Sequence, residues 1–112
     1  MAPRRGDVVI VTDRAAGAYA GKPRPALVVQ GDLFHATRSV TVAPLTSEEV
    51  DAPLLRLRLD PSETLRLQAP SWIMVDKLTT IHRDRAREVL GRVPPEEMLR
   101  FDRALLVFLG IG

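Results

Sequence analysis

Apolar residues in this chain fall into short runs with the period of β-structure up to about residue 93, and then change to a helical period. Asp7 to Thr12 (DVVIVT) is a β-branched run and reads as a strand. Residues 13–24 (DRAAGAYAGKPR) are rich in alanine and glycine without sustained periodicity, which predicts a long hairpin loop. Ala26 to Gln30 is apolar at both parities, as expected of a central strand buried on both faces. Gly31 and Asp32 open a short turn or single-turn helix through Ala36. Ser39 to Leu45 is a third strand, with Pro44 at its end or at a bulge. Leu54 to Leu59 alternates strictly, placing Leu55, Leu57 and Leu59 on one face and Arg56 and Arg58 on the other, with Arg66 as an extension of that row. Trp72 to Lys77 reads as another strand and Thr79 to Ile81 continues the pairing. Arg83 to Arg85 looks like a helical turn, and Arg87 to Val93 is a last strand interrupted by Gly91.

Pro94 and Pro95 stop the sheet. Pro95 suits a first helical position, Glu96 and Glu97 complement the positive end of the helix dipole, and Gly110 ends the helix. Met98, Phe101, Leu105 and Phe108 recur at helical spacing, so this face is expected to pack on the sheet. Several short strands and one terminal helix predict a mainly β, α+β fold: a small, strongly bent antiparallel sheet or partly open barrel with a C-terminal helix packed on it.

Composition narrows the class. A chain of 112 residues, 46% hydrophobic, supports one core, so a single domain over residues 1–112 is expected. The absence of cysteine excludes a disulfide framework, a thiolate metal site and a cysteine nucleophile, and fits a reducing cytoplasm. No apolar run reaches spanning length, and the one near the start ends at Thr12 and Asp13, too short for a signal peptide. No membrane partner is expected. A net charge of +2 is too small for electrostatic capture of duplex DNA over a long footprint. Of the 16 basic residues only Lys22 and Lys77 are lysine, and the arginine fork matches phosphate geometry.

The candidate chemistry begins at Gly21 to Gln30 (GKPRPALVVQ). Arg24 lies between Pro23, with its fixed φ, and Pro25, which pushes Arg24 into the extended region, so this guanidinium is presented on a preorganised backbone. Preorganised positive charge suits phosphate chemistry; the plain alternative is that Pro-Arg-Pro marks a strand entry. The second motif is APLTSEE, Ala43 to Glu49.

Taken together, RGDVVIV, GKPRPALVVQ, VAPLTS and the ending ALLVFLGIG resemble, in order and spacing, the MazF/PemK (Kid) family of toxin ribonucleases, from Arg5 to Ile111. The resemblance implies an SH3-like antiparallel barrel and a homodimer with RNA bound along a groove at the subunit junction. It implies metal-independent, sequence-specific cleavage of single-stranded messenger RNA to 2′,3′-cyclic phosphate and 5′-hydroxyl ends, with no metal and no cofactor. It also implies a cognate antitoxin whose acidic C-terminal tail occupies the RNA groove, and contact with DNA only indirectly, through that antitoxin. Arg24 and Thr46 match the family's catalytic arginine and threonine, with Ser47 as a second hydroxyl donor.

Tyr19 in the loop suits stacking on an unpaired base, whereas Trp72 is read as packing. Lys22, Lys77, Arg56 and Arg58 are the candidate RNA-binding charges, although a charge row is also what an ordinary solvated face looks like. Guanidinium stays protonated in ordinary surroundings, so the general base is open among His82, His35 and Asp76, each of which also has a structural reading. Where the family carries a pattern like Glu-Gln-Ile-Arg-Thr, this chain has Asp76, Lys77, Leu78, Thr79 and Thr80, which bears on RNA sequence preference. Two other classes compete. A gyrase poison of the CcdB type shares the barrel, but its Trp-Gly-Ile terminus is absent from the ending Leu109, Gly110, Ile111, Gly112. In a plain SH3-like interaction module, Arg24 and Thr46 would be ordinary strand-end residues.

Overall fold

The computed structural model describes residues 2–12 and 22–111. Among these residues there are seven strands and one α-helix: β1 (Asp7–Val11), β2 (Arg24–Val28), β3 (Ser39–Thr46), β4 (Arg56–Leu59), β5 (Ser71–Met74), β6 (Thr79–His82), β7 (Ala86–Arg92) and α1 (Pro95–Leu109). All pairings between these strands are antiparallel, in the order β4-β5-β3-β2-β1-β7, with β6 on β3. The segment after β4 then reaches β7 at the other end of this path, through a bridge between Leu65 and Gly91 and a bond from the Arg66 N–H to the Leu90 carbonyl, 2.9 Å. This contact curls the sheet into a small, nearly closed barrel. The mainly β fold with a packed terminal helix is the one the sequence pattern predicts.

Burial of β1 and β2 follows from their position in the middle of the path. Val8 and Leu27 point into one core with Leu45, Leu59, Leu65, Ile73, Val75, Val93 and Phe101. Val9, Val11, Ala26 and Val28 point the other way, into a second cluster with Val40, Val42 and Ile81. Apolar residues at both parities of a strand are the sequence trace of this two-sided burial.

Several local expectations change. Pro44 neither ends nor bulges β3; it pairs opposite Ala26. The other edge of β3 is taken by β6 over 39–42 and by β5 at 45–46, so Pro44 lies between two partners on an edge where a missing N–H donor costs no ladder bond. Strand β5 stops at Met74, and Asp76 and Lys77 lie in a 3-10 turn, Val75–Lys77. Phe101 is the fully buried anchor of α1, with Met98, Ala104 and Leu105 packed against the core, whereas Phe108 is 45% exposed. Phe108 falls on the last turn before Gly110, whose left-handed φ of 74° ends the helix.

Charged side chains fasten the helix and the chain start to the sheet. Arg5 donates from Nη2 to Asp102 on α1 at 2.6 Å and from Nε to the Val29 carbonyl at 3.0 Å. The buried Asp7 carboxylate accepts from the Arg4 N–H at 2.8 Å and from Arg92 Nη1 at 2.6 Å. The exposed Asp32 accepts the Arg5 backbone N–H, and this bond, with the nearby Arg4 charge, holds its carboxyl below the usual carboxylate range. Among the described residues no helix is long and apolar enough to cross a membrane.

Gly91 has a structural reason. Between Val8 and Val9 the pairing with β7 shifts from Gly91 to Val89, leaving Leu90 as the extra residue of a β-bulge. Gly91 takes φ 144°, and a Cβ built there would lie 2.0 Å from the Thr64 carbonyl oxygen. Gly91→Ala is therefore expected to destabilise the protein by roughly 1–3 kcal/mol from backbone strain, with the collision added. A urea midpoint equal to that of the parent would show that the 64–66 segment is not seated as described.

Candidate functional site

The bulge, the curled end of the sheet and the two proline-flanked motifs meet at one cavity of about 320 Å³. Its wall includes Arg24, Thr46, Ser47, Arg66, Gln68 and Ser71, over an apolar floor that includes Ile10, Leu45 and Leu90. Arg24 opens β2 opposite Val11, and Pro25 pairs with Ile10, so the guanidinium leaves a backbone already held in a ladder. Thr46 closes β3 opposite Trp72 of β5. Because β2 and β3 are antiparallel neighbours, the start of one and the end of the other come together.

The Thr46 hydroxyl accepts the Glu48 N–H at 3.1 Å. A hydroxyl has one proton to give, and with its oxygen engaged as acceptor that proton is available to an oxygen in the cavity. The described lining contains two arginines, two serines, a threonine and a glutamine, and no acidic residue or histidine. Its chemistry is that of an anion site rich in hydrogen-bond donors.

The other expected residues are placed elsewhere. Tyr19 lies outside the described residues. Lys22 is exposed just before β2 and does not line the cavity. Arg56 is mostly buried in an ion pair with Asp76, and Lys77 Nζ stands 3.9 Å from the same carboxylate. This pair ties β4 to the turn after β5 and accounts for Asp76 structurally. Arg58 lies 5.5 Å over the Trp72 ring and donates to Asp60 at 2.9 Å, which gives Trp72 a packing partner. Its surface depression includes Asp60 and Glu97, unlike the acid-free cavity. His82 Nδ1 accepts the Asp84 N–H at 3.2 Å and His35 Nδ1 lies 3.0 Å from the Asp32 carbonyl; neither lines the cavity. Thr79, on β6, pairs with Val42 of β3.

Sequence reasoning missed Gln68 and misplaced Arg66. The chain turns at Ser62 to Leu65 and takes Arg66 off the β4 row and onto the cavity wall. The interruption of the last strand by Gly91 is the sequence signal that something crosses there.

An Arg-Pro strand entry beside a Pro-Leu-Thr-Ser strand exit, on a small antiparallel barrel with one packed terminal helix, defines a class. The chain belongs to the PemK-like, MazF-like toxins of type II toxin-antitoxin systems, whose profile matches residues 4–109. It is 53% identical over 109 residues to a probable endoribonuclease MazF of Mycolicibacterium smegmatis, covering 97% of this chain and 98% of that protein. Among solved structures it is similar to an endoribonuclease in complex with its cognate antitoxin from a mycobacterial species. That match has a TM-score of 0.77 and 26% identity, over 99% of this chain and 96% of the other. A MazE-MazF structure from Deinococcus radiodurans shares the fold, with a TM-score of 0.79 at 21% identity over 100% and 99% of the two chains.

Proposed function

We propose that this protein is an endoribonuclease toxin that cuts single-stranded RNA at the Arg24 cavity and is inhibited by a cognate antitoxin. The observation that carries the reading is the meeting of Arg24, Thr46 and Ser47 on one acid-free cavity, in a chain of this toxin family. Arg24 grips the scissile phosphate. The ribose 2′ oxygen attacks phosphorus, the bond from phosphorus to the 5′ oxygen breaks, and negative charge grows on the non-bridging oxygens. Arg24 and the Thr46 hydroxyl stabilise that charge, with Ser47 as a second donor. The 2′ proton passes to a general base outside the described lining, and the 5′ oxygen takes up a proton from solvent. The products are a 2′,3′-cyclic phosphate and a 5′-hydroxyl, and the donors lining the cavity supply the charge stabilisation that a metal would otherwise give.

The relatives' names support both the activity and the partner: endoribonuclease in one, a complex with a cognate antitoxin in another. An acidic antitoxin tail suits a cavity with two guanidinium groups and no carboxylate. A homodimer in the cytoplasm, each copy a single toxin domain, completes the reading. Exposed Leu106, Val107, Phe108, Leu109 and Ile111 at the end of α1 form an apolar surface that a second copy would cover.

Thr46→Val is expected to slow single-turnover RNA cleavage about tenfold or more, while Thr46→Ser retains most of the rate. A 2′-deoxy substitution at the nucleotide 5′ to the mapped cut should abolish cleavage there, because it removes the attacking oxygen. Cleavage that persists at the deoxy linkage would overturn the proposed chemistry.

A further inference from the structure

Besides Arg24, a second arginine lines the cavity, Arg66, on the segment between β4 and β5. We propose that Arg66 is a second phosphate-binding residue of this site and holds a neighbouring phosphate of the same RNA strand; this rests on the reading of the cavity as an RNA-cleaving site.

Three observations carry it. The first is how Arg66 is seated. Its N–H donates to the Leu90 carbonyl at 2.9 Å, its Nη2 donates to the Val89 carbonyl at 2.8 Å, and the preceding Leu65 bridges Gly91. Gly91 lacks the Cβ that would there strike the Thr64 carbonyl. A segment without regular structure is thus fixed at three successive residues of a bulged strand, and the hydrogen bond from its guanidinium to that strand reduces the freedom lost on binding.

The second is donor capacity. A guanidinium has five N–H donors, and the Val89 carbonyl takes one. Glu88 lies 3.6 Å away with both side chains more than half exposed, a pairing of length and exposure that contributes little and that a phosphate can replace. The third is the company on the wall. Arg24 and Arg66 share a lining with Thr46, Ser47, Gln68 and Ser71 and with no acidic side chain. Two like charges in one lining repel when the cavity is empty and are both compensated when successive phosphates of a strand enter.

The test is the salt dependence of binding to a single-stranded oligonucleotide with 2′-O-methyl riboses, which binds without being cut. If Arg66 neutralises one phosphate, Arg66→Gln reduces the steepness of log K against log salt by about 0.7, whereas Arg66→Lys keeps the parent slope. A residue that only supports the 64–66 segment would change affinity without changing the slope. A second measurement uses the parent protein alone: single neutral methylphosphonate linkages, moved along the oligonucleotide, should weaken binding at two adjacent positions, one for each arginine. An unchanged slope in Arg66→Gln, or one sensitive position in the scan, overturns the proposal while RNA cleavage by the parent leaves the wider reading standing. A parent that neither binds nor cuts RNA overturns both.

Discussion

Arg24→Ala is expected to leave a folded protein that cleaves single-stranded RNA slower than the parent by on the order of 10² or more. The size follows from the role proposed for Arg24. As the 2′ oxygen attacks, charge develops on the phosphoryl oxygens, and a donor already in place costs nothing to reorganise. Preorganisation is visible in the backbone: Arg24 pairs with Val11, the adjacent Pro25 pairs with Ile10, and proline fixes φ on either side. The same geometry explains why the fold should survive, since the Arg24 side chain is exposed and the buried core begins at Ala26. Arg24→Lys keeps the charge but loses the fork, so it should recover only part of the rate. A thermal midpoint close to that of the parent must accompany the loss. Equal cleavage by parent and Arg24→Ala would remove Arg24 from the reaction.

Phe101→Ala is expected to have the largest effect on stability, a loss of roughly 3–5 kcal/mol. Phe101 is fully inaccessible and is the one residue of α1 whose side chain is completely enclosed. It packs into the cluster formed by Val8, Leu27, Leu45, Leu59, Leu65, Ile73, Val75 and Val93, which joins the helix to residues of β1–β5 and to the three connections that carry Leu65, Val75 and Val93. The helix has ion-pair support from Arg5 and Asp102, but that pair is partly exposed and does not replace the buried ring. Domains of this size have a total stability of about 5–15 kcal/mol, so the variant should be largely unfolded or greatly weakened at physiological temperature. Urea unfolding at several protein concentrations separates this loss from any contribution of a second copy. A loss below about 1 kcal/mol would mean that α1 is not anchored through Phe101.

The strands and the helix were legible because their signals are local. The β-branched run at Asp7, the two-sided apolar run at Ala26 and the proline, acid and glycine order around α1 each fix one element within a few residues. The meeting of Arg24 and Thr46 at one cavity was legible only through the family resemblance, since the two lie 22 residues apart and are brought near by antiparallel pairing of β2 with β3. Illegible were the features that depend on where the chain turns back. Arg66 looks like a continuation of Arg56 and Arg58, yet the turn at Ser62 to Leu65 sends it to the opposite end of the strand path. Arg56 looks like a free surface charge, and its burial with Asp76 depends on a 3-10 turn where the sequence suggests continued strand. Pro44 has the local signature of a strand end, but β3 changes partners on one edge and continues on the other. Long-range placement decides the role of each of these side chains, and no window of a few residues contains it.

Metal-independent RNA cleavage is tested by incubating the purified protein with a varied set of single-stranded RNAs in excess EDTA and analysing the cut ends. Cleavage is expected at a restricted set of sequences, with 5′-hydroxyl and 2′,3′-cyclic phosphate ends. No cleavage in any RNA, or ends carrying a 5′-phosphate, would contradict the proposed function.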